Sequence, residues 1–333
     1  MEQFKNALDD VARRTGFSGV VRVDRAGRVE LERAYGLADR RHGVANTVST
    51  QFATASATKG LTALAVVSVI DDGLLALTTT ARSVLGADLP LIGADVTVEH
   101  LLAHRSGIGD YLDEDAPGRE ITDYAMPVSV HELAQTEQFL AVLGGYETVY
   151  APDERFAYNN GGYMVLALVA ERASGVDFHE LVRSRVCEPA GMRDTAFLRS
   201  DELPGRAALG YLERDGLRTN IFHLPVRGNG DGGIYSTAAD ISTLWAAFFA
   251  GRIVSRDWVA EMVRPRSDVP SESRRYGLGF WLHESSDVVM LTGYDAGVSF
   301  SSMHDPGPGT TRTVIANWTD GAWPIAELLE GPD

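Results

Sequence analysis

Apolar residues at the start of the chain recur at helical spacing. Phe4, Leu8 and Val11 share one face with charges between them, so Met1 to Gly16 is expected to form an amphipathic helix. Two short apolar-rich runs follow, Phe17 to Asp24 and Val29 to Tyr35, separated by an Arg25-Ala-Gly-Arg turn, which predicts a β-hairpin. Ala57 to Asp72 is apolar nearly all round, the pattern of a buried helix. From about residue 76 to residue 230 the pattern is helical and broken by turns. Helices are expected at Thr97 to Ala103 and at Gly162 to Ala173, the second stopped at Ser174-Gly175. Two long loops interrupt this stretch, 108–128, acidic with two prolines, and 199–230.

The rhythm changes at residue 275. Tyr276 to His283, Val288 to Leu291, Val298 to Met303 and Thr311 to Trp318 predict strands separated by Ser-Ser-Asp, Gly-Tyr-Asp-Ala-Gly and Asp-Pro-Gly-Pro-Gly turns. A helix from Trp323 to Leu329 closes the chain. Strand-forming sequence thus sits at both ends with helical sequence between. The expected fold is α+β: an antiparallel sheet built from the N- and C-terminal segments and flanked by helices, with a mostly helical inserted subdomain. The expected division is a sheet domain from residues 1–75 and 231–333, a helical subdomain from 76–230, and an active site between them.

Composition narrows the function. The 333 residues are 44% hydrophobic, enough for a packed interior, and carry a net charge of -16 from 46 acidic and 30 basic residues. An acidic surface repels phosphate backbones and argues against nucleic-acid binding. The single cysteine cannot form an internal disulfide, and no Cys/His cluster has zinc spacing, so no metal is expected. No secretory apolar stretch of about 7–15 residues stands near the N-terminus. The longest apolar run, Gly60 to Ile70, falls short of the roughly 20 residues that span a bilayer. The chain reads as a cytoplasmic protein with no membrane partner.

Only two of the basic residues are lysine, Lys5 and Lys59, so a lysine inside an apolar helix needs a reason. Ser56 and Lys59 are three positions apart at the head of that helix and share a side. The head of a helix also presents free N–H groups and the positive end of its dipole. Arginine stays protonated, whereas a buried lysine can lose its proton and act as a base. The plain alternative is that Ser56 caps the helix and Lys59 reaches solvent. A second motif, Tyr158-Asn159-Asn160, follows a Pro-Asp turn roughly a hundred residues downstream, just before a helix.

With these two motifs in that order, the chain resembles the serine β-lactamase and penicillin-binding-protein superfamily, on its class C, D-aminopeptidase and family VIII esterase side. Three further segments are similar to stretches of that family: Val98-Glu-His-Leu-Leu-Ala-His-Arg-Ser-Gly-Ile, Glu188-Pro-Ala-Gly-Met-Arg-Asp-Thr-Ala-Phe and Gly232-Gly-Ile-Tyr-Ser-Thr-Ala-Ala-Asp. The resemblance implies a β-lactamase/transpeptidase-like fold with Ser56 as nucleophile, Lys59 as its base partner and Tyr158 as the second acid/base group. It places Asn160 on the substrate and on Lys59. It also implies an oxyanion hole from the N–H groups of Ser56 and Tyr294, and no cofactor.

The third family motif is altered. Lys-Thr-Gly or His-x-Gly is replaced by Leu291-Thr292-Gly293-Tyr294, so Thr292 and Gly293 remain on the site strand while the cation is lost. A substrate carboxylate would then lose a charge-assisted contact of about 1.5–3 kcal/mol, whereas a neutral ester would lose nothing. The expectation is therefore a carboxylesterase or amidase acting on small neutral acyl substrates through an acyl-Ser56 intermediate. The alternatives are a β-lactamase, a D-Ala-D-Ala carboxypeptidase or a D-aminopeptidase, with Arg227 or Arg274 supplying the charge. A non-catalytic binding protein on the same fold is a third reading.

Other signals are set aside. Gly228-Asn-Gly-Asp-Gly-Gly233 fits a dinucleotide fingerprint, but no βαβ unit surrounds it, and it reads as a loop feeding a helix capped by Ser236 or Thr237 with Asp240. His104 and Ser106 share a loop, yet the chain has no Gly-x-Ser-x-Gly elbow. Tyr111, Tyr124, Tyr146 and Trp281 are candidates to line a pocket.

Overall fold

A computed structural model describes residues 2–112 and 120–330. Part of the expected 108–128 loop, residues 113–119, lies outside the described residues. An eight-stranded antiparallel sheet organises the rest. Its strands are β1 (Gly19–Arg25), β2 (Arg28–Tyr35), β3 (Ser267–Val269), β4 (Arg274–Tyr276), β5 (Trp281–His283), β6 (Val289–Asp295), β7 (Val298–Asp305) and β8 (Thr310–Ala316). They lie in the order β2-β1-β8-β7-β6-β5-β4-β3. The N-terminal hairpin joins the C-terminal strands through β1 against β8, with Val20 opposite Ile315 and Val21 opposite Val314.

Alternation along these strands buries both faces of the sheet. Val21, Val23, Val314 and Ala316 pack under α1 (Glu2–Thr15) and the C-terminal helix, whose Leu8, Ala12, Ile325 and Leu329 complete one core. Val20, Ile315, Phe300 and Leu291 face the other way. They meet α2 (Thr58–Asp71), α3 (Asn160–Ser174) and α4 (Ala238–Phe249) in the larger core. The C-terminal helix, Trp323–Glu330, is α5. Helix α2 is buried from Thr58 to Val69, as an all-round apolar sequence requires. Helix α3 stops at Ser174 because Gly175 adopts the left-handed conformation at φ +69°. The expected helix cap on Thr237 is present: its side chain accepts from Asp240 N.

Three sequence expectations need correction. The single strand expected over Tyr276 to His283 is a hairpin, with β4 turning at Gly277–Phe280 into β5, so that Tyr276 pairs with Trp281. The turn is set by Gly279 at φ +88°, where a Cβ would lie 2.3 Å from Ala63 Cβ. The strand that the hydrophobic pattern ends at Leu291 continues to Asp295, through Gly293, which the pattern reads as a turn and the family resemblance puts on the site strand. A Cβ on Gly293 would fall 2.1 Å from Thr54 O, so this glycine lets β6 lie directly on the segment before Ser56. Finally, the helix expected from Ala57 begins as a 3-10 turn, Ala55–Ala57, before α2.

Among the described residues, no helix is long and apolar enough to cross a membrane.

Close approach at Gly293 is testable. Gly293→Ala should lower unfolding free energy by about 1–3 kcal/mol in urea titration, because backbone must shift to admit the methyl group. Gly205→Ala, with open space around it, should change it by less than about 0.5 kcal/mol. Equal stability of the two variants would contradict the packing described.

Candidate active site

The segment carrying Ser56 is pinned at both ends. Phe52–Ala53 pairs with Tyr235–Ser236, and Thr54 N donates to Ile234 O at 2.9 Å. Thr58 Oγ1 donates to Ala55 O at 2.7 Å and accepts from Ile234 N at 3.1 Å. Ala55 is held at φ +47°, an unusual conformation for a residue with a side chain, which turns the chain sharply into the nucleophile position. Ser56 does not cap α2: the N-cap is Ala57, which makes no side-chain cap bond.

Lys59 is 2% exposed and reaches back along the helix to Ser56. Its Nζ lies 3.0 Å from Ser56 Oγ, 2.7 Å from Asn160 Oδ1 and 2.7 Å from Asp231 O. An unpaired ammonium would be very costly at this depth, and three oxygens compensate it. The three contacts differ in kind. Asn160 Oδ1 and Asp231 O can only accept, so they occupy two N–H groups. Ser56 Oγ can either accept the third N–H or donate its own proton to a nitrogen lone pair. The same heavy-atom geometry therefore holds both an ammonium and an amine. That is the requirement for a group that takes a proton from serine and returns it.

Asn160 opens α3, and its position is fixed from several sides. The Asn159 side chain caps the helix by accepting from Gly162 N at 2.6 Å, and Asn159 Nδ2 donates to Ile108 O at 2.9 Å. Asp110 accepts from Asn160 N at 2.6 Å and from Gly161 N at 2.8 Å. Burial of this carboxylate pushes it up to about 7, against the opposing pull of the Gly161, Asn160 and Leu112 N–H groups and of the Lys59 charge. Tyr158, two residues before Asn160, presents its ring 4.9 Å from Lys59 Nζ and stacks on Trp281 at 6.1 Å between centroids, 10° from parallel.

The acceptor at Asp231 comes from the glycine run that resembled a dinucleotide loop. Gly230 passes so close to α3 that a Cβ would meet Tyr163 O at 2.2 Å, and Thr62 Oγ1 donates to Gly230 O at 2.7 Å. The run is a close-packed turn that delivers a carbonyl to Lys59. The Asp231 carboxylate lies buried beside it, receives a short hydrogen bond from Tyr111 OH, and is raised by burial.

Ser56, Tyr158, Thr292, Gly293 and Tyr294 all border one cleft of about 840 Å³. All seven site residues expected from sequence therefore converge, Lys59 and Asn160 from beneath this cleft. Trp281 lines it as well, whereas Tyr111 and Tyr124 line a neighbouring cavity with Asp231 and Tyr146 lines neither. Leu291 is 3% exposed and packs in the core against Gly60, where a Cβ would come 2.5 Å from Leu291 Cδ2. Of the two arginines considered as replacements, Arg274 borders the cleft. Arg227 lies elsewhere, donating to Phe197 O at 3.1 Å beside His179. Sequence reasoning missed Asp231 O, since a backbone carbonyl has no residue signature, and Asp110, whose role depends on a fold contact 50 residues away. Among the described residues, no group of His, Cys, Asp or Glu side chains could hold a metal ion.

Known proteins resemble this chain along most of its length. The family model described as Beta-lactamase matches residues 4–328. The putative penicillin-binding protein PbpX of Bacillus subtilis is 26% identical over 307 residues, 90% of this chain and 70% of that protein. Esterase EstB of Burkholderia gladioli is 29% identical over 296 residues, 78% of this chain and 72% of that protein. The crystal structure of a penicillin-binding protein from Bacillus halodurans superposes with a TM-score of 0.90 at 31% identity, covering 97% of this chain and 99% of that one.

The Asp110 carboxyl has a stability signature. Its folded-state value of about 7 lies above the ordinary 3.8 of an aspartate, so the folded protein binds the extra proton and stability from this group falls as pH rises from about 4 to about 7. The stability difference, wild type minus Asp110→Asn, should decline across that window in urea titrations. A difference that rises or stays flat would contradict the burial described.

Proposed function

The chain belongs to the Beta-lactamase family, a superfamily of β-lactamase-fold serine hydrolases, and we propose that it hydrolyses small neutral acyl esters or amides through an acyl-Ser56 intermediate. The site lies in the cleft between the sheet portion, residues 1–75 and 231–333, and the helical portion, residues 76–230. The observation that carries the reading is Lys59 Nζ, buried and 3.0 Å from Ser56 Oγ with its other two contacts on pure acceptors. A serine hydroxyl is a weak nucleophile until an adjacent base takes its proton.

Ser56 Oγ attacks the acyl carbonyl while its proton passes to Lys59 Nζ. The C=O π bond opens onto oxygen, and the N–H groups of Ser56 and Tyr294 hold the oxyanion. Both donors are backbone, so side-chain identity at 294 leaves the hole in place. The tetrahedral adduct collapses, the bond to the leaving alkoxide or amine breaks, and Tyr158 Oη relays the proton to it. Water then adds to the acyl-serine by the same route, releasing the acid and restoring Ser56. Asn160 orients Lys59 through Oδ1, and Thr292 borders the cleft where substrate would bind. The absence of a cation at Leu291 supports an uncharged substrate, and the esterase name of one relative agrees with it.

One observation favours a second reading, a β-lactam or D-alanyl peptide substrate. Arg274 and Arg155 border the cleft, and neither pairs with an acid among the described residues: Arg274 lies 5.8 Å from the Trp281 ring centre and Arg155 4.5 Å from that of Tyr150. Either guanidinium could meet a carboxylate.

Incubation with a fluorophosphonate followed by intact-protein mass should give one adduct in the wild type and none in Ser56→Ala. No adduct in the wild type would indicate a binding protein, and an adduct in both would mean the nucleophile is another serine. In steady-state assays, p-nitrophenyl esters should then exceed a chromogenic cephalosporin in kcat/KM. The reverse order, abolished by Arg274→Ala, would establish the second reading.

A further inference from the structure

His104 is a buried titratable group that the proposed chemistry does not use. It is 1% exposed and held at φ +55°. Its own N–H donates to Leu101 O at 3.3 Å, and both of its acceptors go to the backbone around Tyr158: Ala157 N donates to His104 O at 2.9 Å, and Asn159 N donates to His104 Nδ1 at 3.0 Å. Because Nδ1 accepts, the ring proton sits on Nε2, which has no hydrogen-bond partner among the described residues and lies in an aromatic enclosure. The ring centre is 4.4 Å from that of Tyr158, and 4.9 Å from those of both Tyr163 and Tyr276. Burial and the Lys59 charge both hold the imidazole well below its ordinary range, so it stays neutral.

Resting on the function proposed above, we infer that His104 is a positioning residue: its carbonyl and Nδ1 clamp the backbone on either side of Tyr158, setting that phenol and the start of α3, which carries Asn160. Three consecutive residues, Ala157 to Asn159, are thereby tied to one loop residue. The left-handed backbone conformation aims both acceptors of His104 at the same short segment. A phenylalanine would fill the enclosure but supply no acceptor for Asn159 N. Asparagine tolerates a left-handed backbone and places its amide oxygen close to where Nδ1 stands. Glutamine carries the same amide one carbon further out, past that position.

The test compares wild type, His104→Asn and His104→Gln. His104→Asn should keep kcat for a p-nitrophenyl ester within about threefold, and His104→Gln should lose about 10- to 100-fold with KM nearly unchanged, the pattern of a displaced reacting group. Should the glutamine variant not fold, His104→Gly, which adopts the left-handed conformation freely and lacks the acceptor, is expected to show the same kcat loss. Hydrogen exchange at the Asn159 amide reads the contact without any substrate: protected in wild type and His104→Asn, fast in His104→Gln. Equal kcat and equal protection in the asparagine and glutamine variants would overturn this inference. A wild type that turns over no ester yet shows the expected exchange pattern would instead count against the hydrolase reading and leave the clamp standing.

Discussion

A single buried lysine nitrogen must be matched by oxygen, and the rest of the site follows from that constraint. Lys59 donates to atoms 3, 101 and 172 residues away in sequence, so no local segment can satisfy it. The nucleophile turn, the start of α3 and the glycine run after residue 228 must all be in place together. Each is secured by contacts of its own: Thr54 and Thr58 to Ile234, Asp110 to the α3 N-terminus, and Thr62 to Gly230 O. Loss of any one would leave a buried polar nitrogen unsatisfied, a heavier penalty than the hydrogen bond itself.

Glycines make this convergence geometrically possible. Gly293 brings β6 onto the Thr54 carbonyl, Gly230 passes under Tyr163 O, and Gly60 receives Leu291. These are places where one main chain lies against another, or against a branched side chain, and a single methyl group would separate them. Backbone proximity thus fixes the floor around Ser56 and Lys59, while side chains such as Tyr158, Arg274 and Trp281 line the cleft above it. That arrangement can keep the core chemistry fixed while residues around the rim, such as Arg274 and Trp281, set what enters.

Much of this was legible in the chain, for identifiable reasons. Ser56 and Lys59 are three positions apart, so local helical geometry alone joins them, and the scarcity of lysine made the pair stand out. The amphipathic ends show in the hydrophobic rhythm, and the hairpin shows in the polar turn at Arg25–Arg28 between two apolar-rich runs. What failed to show was tertiary. Apolar character continues through Gly277 to Phe280, so the β4–β5 hairpin reads as one strand. Gly293 reads as a turn although its role is close approach inside a strand. Leu291 reads as a lost cation in the family motif, whereas in the fold it fills a core position over Gly60. Asp231 contributes a carbonyl that any residue type would carry, and His104 appears as an ordinary loop histidine until its contacts with Ala157 and Asn159 are known.

The most direct test of the account is Lys59→Arg. Arginine keeps the charge, but its planar guanidinium cannot serve three acceptors from one nitrogen and does not give up a proton. The steady-state kcat/KM of this variant for a p-nitrophenyl ester, measured beside wild type on folded protein, should fall by at least about 10³-fold, the scale of losing an activating base. Activity within a few-fold of wild type would contradict the central claim, because the buried lysine would then be a structural cation and not the group that activates Ser56.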